Sequence, residues 1–474
     1  MTGRRIPLAW LSSALLLAGC ARAQPLMLPA VSSPPPSTVS RGLLAGLART
    51  DITPPPGPGL AGGGPEGRPA AGHRARLHAR ALVLEDRRGE IVAYVVADLP
   101  FVSVILHRRV AELVRARAPI GADRLMLAAT HTHSGPGHFL DAESYNRQGS
   151  SVPGYDPAMV AFLAERVAGA VLRAWESRGA ARVAWGTTTV ASVTRNRSAA
   201  AGGAAPDSTL LLLRVDVRSG PDADFRPAGA LSILAIHGTG NSPENDLWDG
   251  DIHGRVARIL EAHVDSLAGG PGGPAPRAVY LFANGAEGDV SPTWSAASRC
   301  TPPALRRTRM RGPHGTRGWE WVGVDAATRE TCLAAARDGM ETTSRAIAVR
   351  AAALFDALAP GPDSDTLFIS RAFTTLPLTG PGAPPGLCAE AEPGAATIAG
   401  AEDMPTRYRG WRFLGFIPSA FEEGGRAARH EPRGCQAEKR PALDGKLRRI
   451  SGISRIFPQV AQLAVVRIGG LLTA

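Results

Sequence analysis

The stretch Ala128-Ala129-Thr130-His131-Thr132-His133-Ser134-Gly135-Pro136-Gly137 places two histidines one residue apart, directly after the apolar run Leu125-Met126-Leu127. In an extended chain side chains alternate with period two, so residues i and i+2 point the same way. On that reading His131 and His133 leave a strand end facing one point, an arrangement suited to a shared metal ion. On a helix the same spacing would spread them around the axis. The Gly-Pro-Gly that follows turns the chain sharply and lets backbone approach whatever is bound.

Working outward, other apolar runs end in the same manner. Ile91 to Val96 runs out into Asp98, Leu231 to Ile236 into His237-Gly238-Thr239, and Ala278 to Phe282 into the loop Asn284-Gly285-Ala286-Glu287-Gly288-Asp289-Val290-Ser291-Pro292. Between them lie stretches of helical period, including 102–117, 157–179, a segment opened by Asp251, and 326–358, with Asp156-Pro157 as cap and first-turn proline. Strands alternating with helices predict an α/β fold of layered mixed sheets with flanking helices. In such sheets functional groups collect at the carboxyl ends of the strands. The tail from 463 to 472 reads as one further strand, Arg306 to Gly318 as an arginine-rich, solvated stretch, and no internal repeat is visible.

At 474 residues the chain is long enough for one large or several ordinary domains. The formal charge of +11 would suggest a nucleic-acid partner, yet arginine supplies all of the positive residues except Lys439 and Lys446, and it is dispersed. No nucleic-acid site is expected.

The N-terminus carries Arg4-Arg5, an apolar run from Leu8 to Leu17, and then Leu17-Ala18-Gly19-Cys20. The run is too short to span a bilayer and reads as an export signal. Its ending resembles a bacterial lipoprotein box, with Cys20 as the lipidated first residue of the mature chain; cleavage after Ala21-Arg22-Ala23 is the alternative. This gives a signal over 1–19, a Pro/Ser-rich tether over 20–42 and one large folded domain over 43–474. The expected location is the bacterial envelope, held by a lipid anchor at a membrane surface, or outside the cell. In such a compartment Cys300, Cys332, Cys388 and Cys435 are expected to form disulfides, with the sequential pairing favoured among three.

His131, His133 and His237 are the metal candidates, since an open catalytic zinc site takes three imidazole or carboxylate ligands. His138 and His253 read instead as exposed loop and helix-start residues. In the loop after Phe282, Gly285 and Gly288 can turn amides inward toward an oxyanion, with Asn284 and Asp289 beside them and Ser291 as nucleophile or hydrogen-bonding partner. It is neither a Gly-x-Ser-x-Gly elbow nor a Walker loop. Arg197, in Asn196-Arg197-Ser198, can supply positive charge to an oxyanion.

These pieces together resemble the neutral/alkaline (non-lysosomal) ceramidase family. The motifs are Ala129 to Gly137, Asn196-Arg197-Ser198, Ala235-Ile236-His237-Gly238-Thr239 and Asn284 through Pro292. Weaker likeness lies in Asp51-Ile52-Thr53-Pro54, Ala79 to Asp86 and Cys435 to Pro441. The resemblance implies a zinc-dependent amidase that splits the N-acyl bond of ceramide into a fatty acid and a sphingoid base. It implies His131 and His237 as zinc ligands, His133 and Arg197 as groups flanking the reacting carbonyl, and Ser291 as catalytic serine. The family's glutamate and tyrosine ligands lie further along than Ala474, so a fragment with weak zinc binding and little activity is expected, and Thr293 stands where the family commonly has asparagine. The competing readings are an exported zinc hydrolase of another N-acyl amide or ester, and a non-catalytic lipid-binding envelope lipoprotein.

Overall fold

The computed structural model describes residues 32–35, 42–62, 68–150, 154–196, 205–242, 244–269, 277–293, 306–311, 317–322, 326–380 and, with short interruptions, 382–391 and 455–473. Cys20, Arg197, Cys300 and Cys435 lie outside these residues, as do the signal and most of the tether. Cys332 and Cys388 are each disulfide-bonded.

Eight strands form the main sheet: β1 (Leu44–Asp51), β2 (His78–Glu85), β3 (Ile91–Ala97), β4 (Leu125–Ala129), β5 (Gly179–Thr189), β6 (Thr209–Val217), β7 (Arg226–Leu234) and β8 (Val279–Asn284). Four helices flank it: α1 (Val104–Arg115), α2 (Pro157–Glu176), α3 (Asp251–Leu267) and α4 (Ala326–Ala357). The spatial order is β8-β7-β6-β5-β1-β2-β3-β4. β1, β2 and β3 pair antiparallel, and β3 then crosses through α1 to a parallel β4. β5, β6 and β7 repeat that scheme, and β7 crosses through α3 to a parallel β8. Each set ends with one more helix, α2 or α4.

The chain is therefore two matched halves, a repeat that its sequence does not display. Within the main sheet, the described residues join the halves through the antiparallel pairs Leu44↔Ala180 and Ala45↔Gly179. So short a seam lets the sheet fold over, and β8 packs against β2, β3 and β4.

The period-two pattern explains the layering. On β3, Ile91, Ala93, Val95 and Ala97 face one core with α1 and α2, while Val92, Tyr94 and Val96 face another. On β8, Tyr280 and Phe282 face α3 and α4, while Val279, Leu281 and Ala283 meet Val92, Tyr94 and Val96 in the central core. Strands buried on both faces read as continuous apolar runs rather than alternating ones. The helices begin where their caps dictate: Ser103 Oγ accepts the Leu106 N–H at 3.1 Å, and Asp156 Oδ1 accepts that of Ala158 at 2.8 Å.

A buried ionic network crosses between the halves. Arg80 of β2 donates to Glu261 of α3 at 2.9 Å and pairs with Asp98, just beyond β3, at 3.2 Å; Arg49 of β1 also pairs with Glu261. Burial alone would lower the Arg80 pKa, but Asp98 and Glu261 outweigh it and raise it.

The 463–472 run is not one strand. It breaks at Gly469, in left-handed backbone (φ 56°), into the hairpin β10 (Val460–Ile468) and β11 (Leu471–Thr473), with β9 (Ile369–Pro377) alongside β10. Arg306–Arg311 pairs with Arg317–Val322 as an antiparallel hairpin.

Candidate metal and catalytic site

The loops leaving β4, β7 and β8 meet at one place. Nε2 of His131 lies 2.9 Å from Nε2 of His237, and Nε2 of His133 lies 3.4 Å from that of His131. All three residues can offer a ligand atom within 4.8 Å of one another, the only such group among the described residues.

The outer nitrogens fix the chemistry of the inner ones. His131 Nδ1 lies 2.7 Å from the Pro100 carbonyl, and His237 Nδ1 3.1 Å from that of Glu287. A carbonyl only accepts, so each Nδ1 carries the proton and, in a neutral ring, each Nε2 presents a lone pair. Two lone pairs facing each other at 2.9 Å repel unless a cation lies between them. Histidines whose other ring nitrogen is held by a carbonyl are oriented as metal ligands are. The residues present thus fit a divalent cation that accepts imidazole.

The route to this convergence differs from strand alternation. β4 stops at Ala129, and His131 takes left-handed backbone (φ 58°), unusual for a residue with a Cβ. The two imidazoles are brought together by a turn. That turn is clasped to the His237 loop: Thr132 bridges Gly238, and the His133 N–H donates to Gly238 O at 3.1 Å. Gly238 is required because a Cβ there would sit 2.4 Å from the His131 carbonyl oxygen. Gly62 backs His133 in the same way, its missing Cβ falling 2.6 Å from the ring.

Behind the turn lies a buried polar web. Ser134 Oγ accepts from the side-chain amides of Asn241 and Asn245 at 3.2 and 3.0 Å, and Thr132 Oγ1 donates to Asp249 O at 2.6 Å. Arg74 pairs with Asp249 at 2.8 Å and also reaches Asn241. Asp251 is the first residue of α3, not its cap, in left-handed backbone (φ 54°). Its carboxylate accepts the N–H groups of Gly240, Asn241 and Ile252. Burial, then the neighbouring Asp249, push its pKa up to about 6 against those donors.

Ser291 lies on the short strand Val290–Pro292, paired with Thr194–Asn196, and is 2% exposed. The His237 N–H donates to Val290 O at 2.9 Å, so the serine is one residue from a direct tie to a histidine of the cluster. Of the neighbouring loop, Gly285 N–H is spent on Leu234 O at 3.1 Å, which removes it from any oxyanion role. Gly288 has open space around it, and Asp289 accepts from Asn196 Nδ2 at 3.1 Å. Asn284 is likewise engaged, its Oδ1 accepting from Ile236 N at 3.1 Å and its Nδ2 donating to Thr130 O at 3.2 Å.

Two histidines read as exposed are buried. His138 bonds the Gly154 carbonyl at 3.0 Å, and His253 is 1% exposed against Phe282, where burial pushes its pKa down to about 3. The sequence reading also missed an aromatic pair beside the cluster. Phe101 meets His131 edge-on at 5.4 Å between ring centres and Tyr145 at 5.3 Å, and Tyr145 is 38% exposed.

Residues 43–474 match the family model for neutral/alkaline non-lysosomal ceramidase, N-terminal. Neutral ceramidase of Drosophila melanogaster is 31% identical over 272 residues, 54% of this chain and 36% of that protein. Neutral ceramidase of Pseudomonas aeruginosa is 30% identical over 255 residues, 52% of this chain and 36% of that protein. The match thus spans about a third of the length of these relatives. Among solved structures, a ceramidase complexed with C2 aligns with a TM-score of 0.63 at 22% identity, over 91% of this chain and 62% of that one. The crystal structure of the Pseudomonas aeruginosa neutral ceramidase aligns at 0.59 and 20%, over 92% and 62%. Both share the fold.

Proposed function

Since the chain belongs to the neutral/alkaline non-lysosomal ceramidase family, we propose that it forms the core of a zinc-dependent amidase that hydrolyses the N-acyl bond of ceramide or a closely related N-acyl lipid. The observation that carries this reading is the trio of imidazoles, two with their outer nitrogens on carbonyls and their inner ones turned toward each other.

His131 and His237 would hold zinc, with His133 beside them as a third ligand or as a group flanking the reacting carbonyl; the ion would supply Lewis acidity toward an amide oxygen and lower the pKa of water. The protein's own part is positional. The Pro100 and Glu287 carbonyls hold two of the rings, and Ser291, next to the Val290 carbonyl that accepts the His237 N–H, would act as nucleophile or as hydrogen-bond partner of the reacting carbonyl. Arg197 is assigned the charge that opposes a developing oxyanion, one residue beyond the strand that pairs with Ser291. Phe101 and Tyr145 offer an apolar wall beside His131, which suits a substrate with an aliphatic chain. An exported chain anchored through Cys20 would meet such substrates at a membrane surface, with Cys300–Cys332 and Cys388–Cys435 as its disulfides.

The experiment compares release of fatty acid from ceramide, from N-acyl amino acids and from simple esters by the zinc-loaded protein. Ceramide turnover abolished by Ser291→Ala supports the reading. Turnover of only the other substrates moves it to a different amide or ester hydrolase, and zinc binding without any turnover leaves the envelope binding protein.

A further inference from the structure

We propose that Asn284 is a positioning residue that sets the gap between the imidazoles of the two halves. Its carboxamide, on the last residue of β8, touches both histidine-bearing loops. Oδ1 accepts the N–H of Ile236, the residue immediately before His237, at 3.1 Å. Nδ2 donates to the carbonyl of Thr130, the residue immediately before His131, at 3.2 Å. One planar group, fixed at the end of β8, thereby holds the approach of one ring from each half.

The arrangement needs both ends of an amide. A carboxylate offers no donor for Thr130 O, and an aliphatic side chain offers neither function. Ile236 is fully buried and Thr130 is 1% exposed, so water is a poor substitute for either bond. The bonds act where the backbone is least able to hold itself, since His131 is in left-handed conformation and β7 ends at Leu234, three residues short of His237. Asn284 therefore belongs behind the metal ligands and not among groups that contact a substrate. Groups that hold a metal ligand in place from behind typically change metal affinity by about 10- to 100-fold when removed.

The inference rests on the metal-site reading, and its test keeps the two apart. The full chain and its Asn284→Leu and Asn284→Asp variants are compared in three measurements: zinc affinity by chelator competition, the visible spectrum of the cobalt(II)-loaded protein, and imidazole nitrogen resonances of the metal-free protein. Val110→Ala, in the core under α1, serves as a variant of lowered stability that leaves the site alone. Asn284→Leu is expected to weaken zinc binding by about 10- to 100-fold, to alter the cobalt spectrum and to move the His131 and His237 resonances without metal. Asn284→Asp, which keeps only the acceptor, is expected to move the His131 resonances more than those of His237. Wild-type zinc affinity and spectrum in Asn284→Leu would overturn the proposal, as would the same changes in Val110→Ala. If the unaltered chain binds neither ion, the metal-site reading fails by itself, and the metal-free resonances still decide the role of Asn284: moved, it stands, and unmoved, it falls.

Discussion

The two halves share strand order, polarity and crossover, yet they deliver different chemistry from equivalent places. In the first half the loop after β3 carries Asp98, which turns into the buried ionic network, and the loop after β4 carries His131 and His133. In the second half the loop after β7 carries His237, the end of β8 carries Asn284, and the segment after β8 carries Ser291. Neither half holds the imidazole trio alone. The frame fixes where loops converge, and the loops alone decide what they bring, which is the usual division between scaffold and function.

Breaking the link between the halves should have the largest effect. Arg80 is 1% exposed and sits between Asp98 and Glu261, so Arg80→Met takes the cation from the buried Asp98 carboxylate and leaves Glu261 with Arg49 alone. A loss of about 3–5 kcal/mol in unfolding free energy is expected by denaturant titration. A loss below about 1 kcal/mol would mean that the central apolar core alone holds the halves together.

The next effect is a pH dependence confined to the second half. The Asp251 pKa rises from 3.8 to about 6 on folding, so in that window the folded chain binds more protons than the unfolded one. Stability from this group is full below about pH 4 and falls as pH rises through 6, by about 3 kcal/mol. Unfolding of the wild type measured against Asp251→Asn from pH 4 to 7 should show that decline, and parallel curves would reject it.

Loop substitutions sharpen the comparison at smaller cost. Gly238→Ala drives a Cβ into the His131 carbonyl, whereas Gly288→Ala enters open space. The first should destabilise by about 1–3 kcal/mol and reduce zinc uptake; the second should leave both unchanged. The smallest effect belongs to the exposed pair Arg117–Glu176, 62% and 55% exposed. Its removal should cost no more than about 1 kcal/mol, and a larger loss by thermal unfolding would show that surface charge matters here more than burial suggests.

Much of this was legible in the residues. Helical spacing placed α1 at 102–117, against Val104–Arg115 observed, and the apolar runs located the strands that end near the site. The fold family and the meeting of His131 with His237 followed from motifs. What the sequence withheld depends on partners far along the chain. Arg80 and Glu261 are 181 positions apart, and Asn284 is 154 from Thr130. His253 is the helix-start residue the sequence suggests but not an exposed one, because α3 buries that turn against β8. The repeat is hidden because matched topology needs only matched patterns of burial, not matched residues.

The most direct test is zinc titration of the chain with absorption spectroscopy of the bound ion. The account predicts saturation at one ion per chain, nitrogen neighbours at about 2.0–2.1 Å, and loss of that site in either His131→Ala or His237→Ala, one variant from each half. Binding that survives both substitutions, or a chain that takes up no zinc, would contradict it.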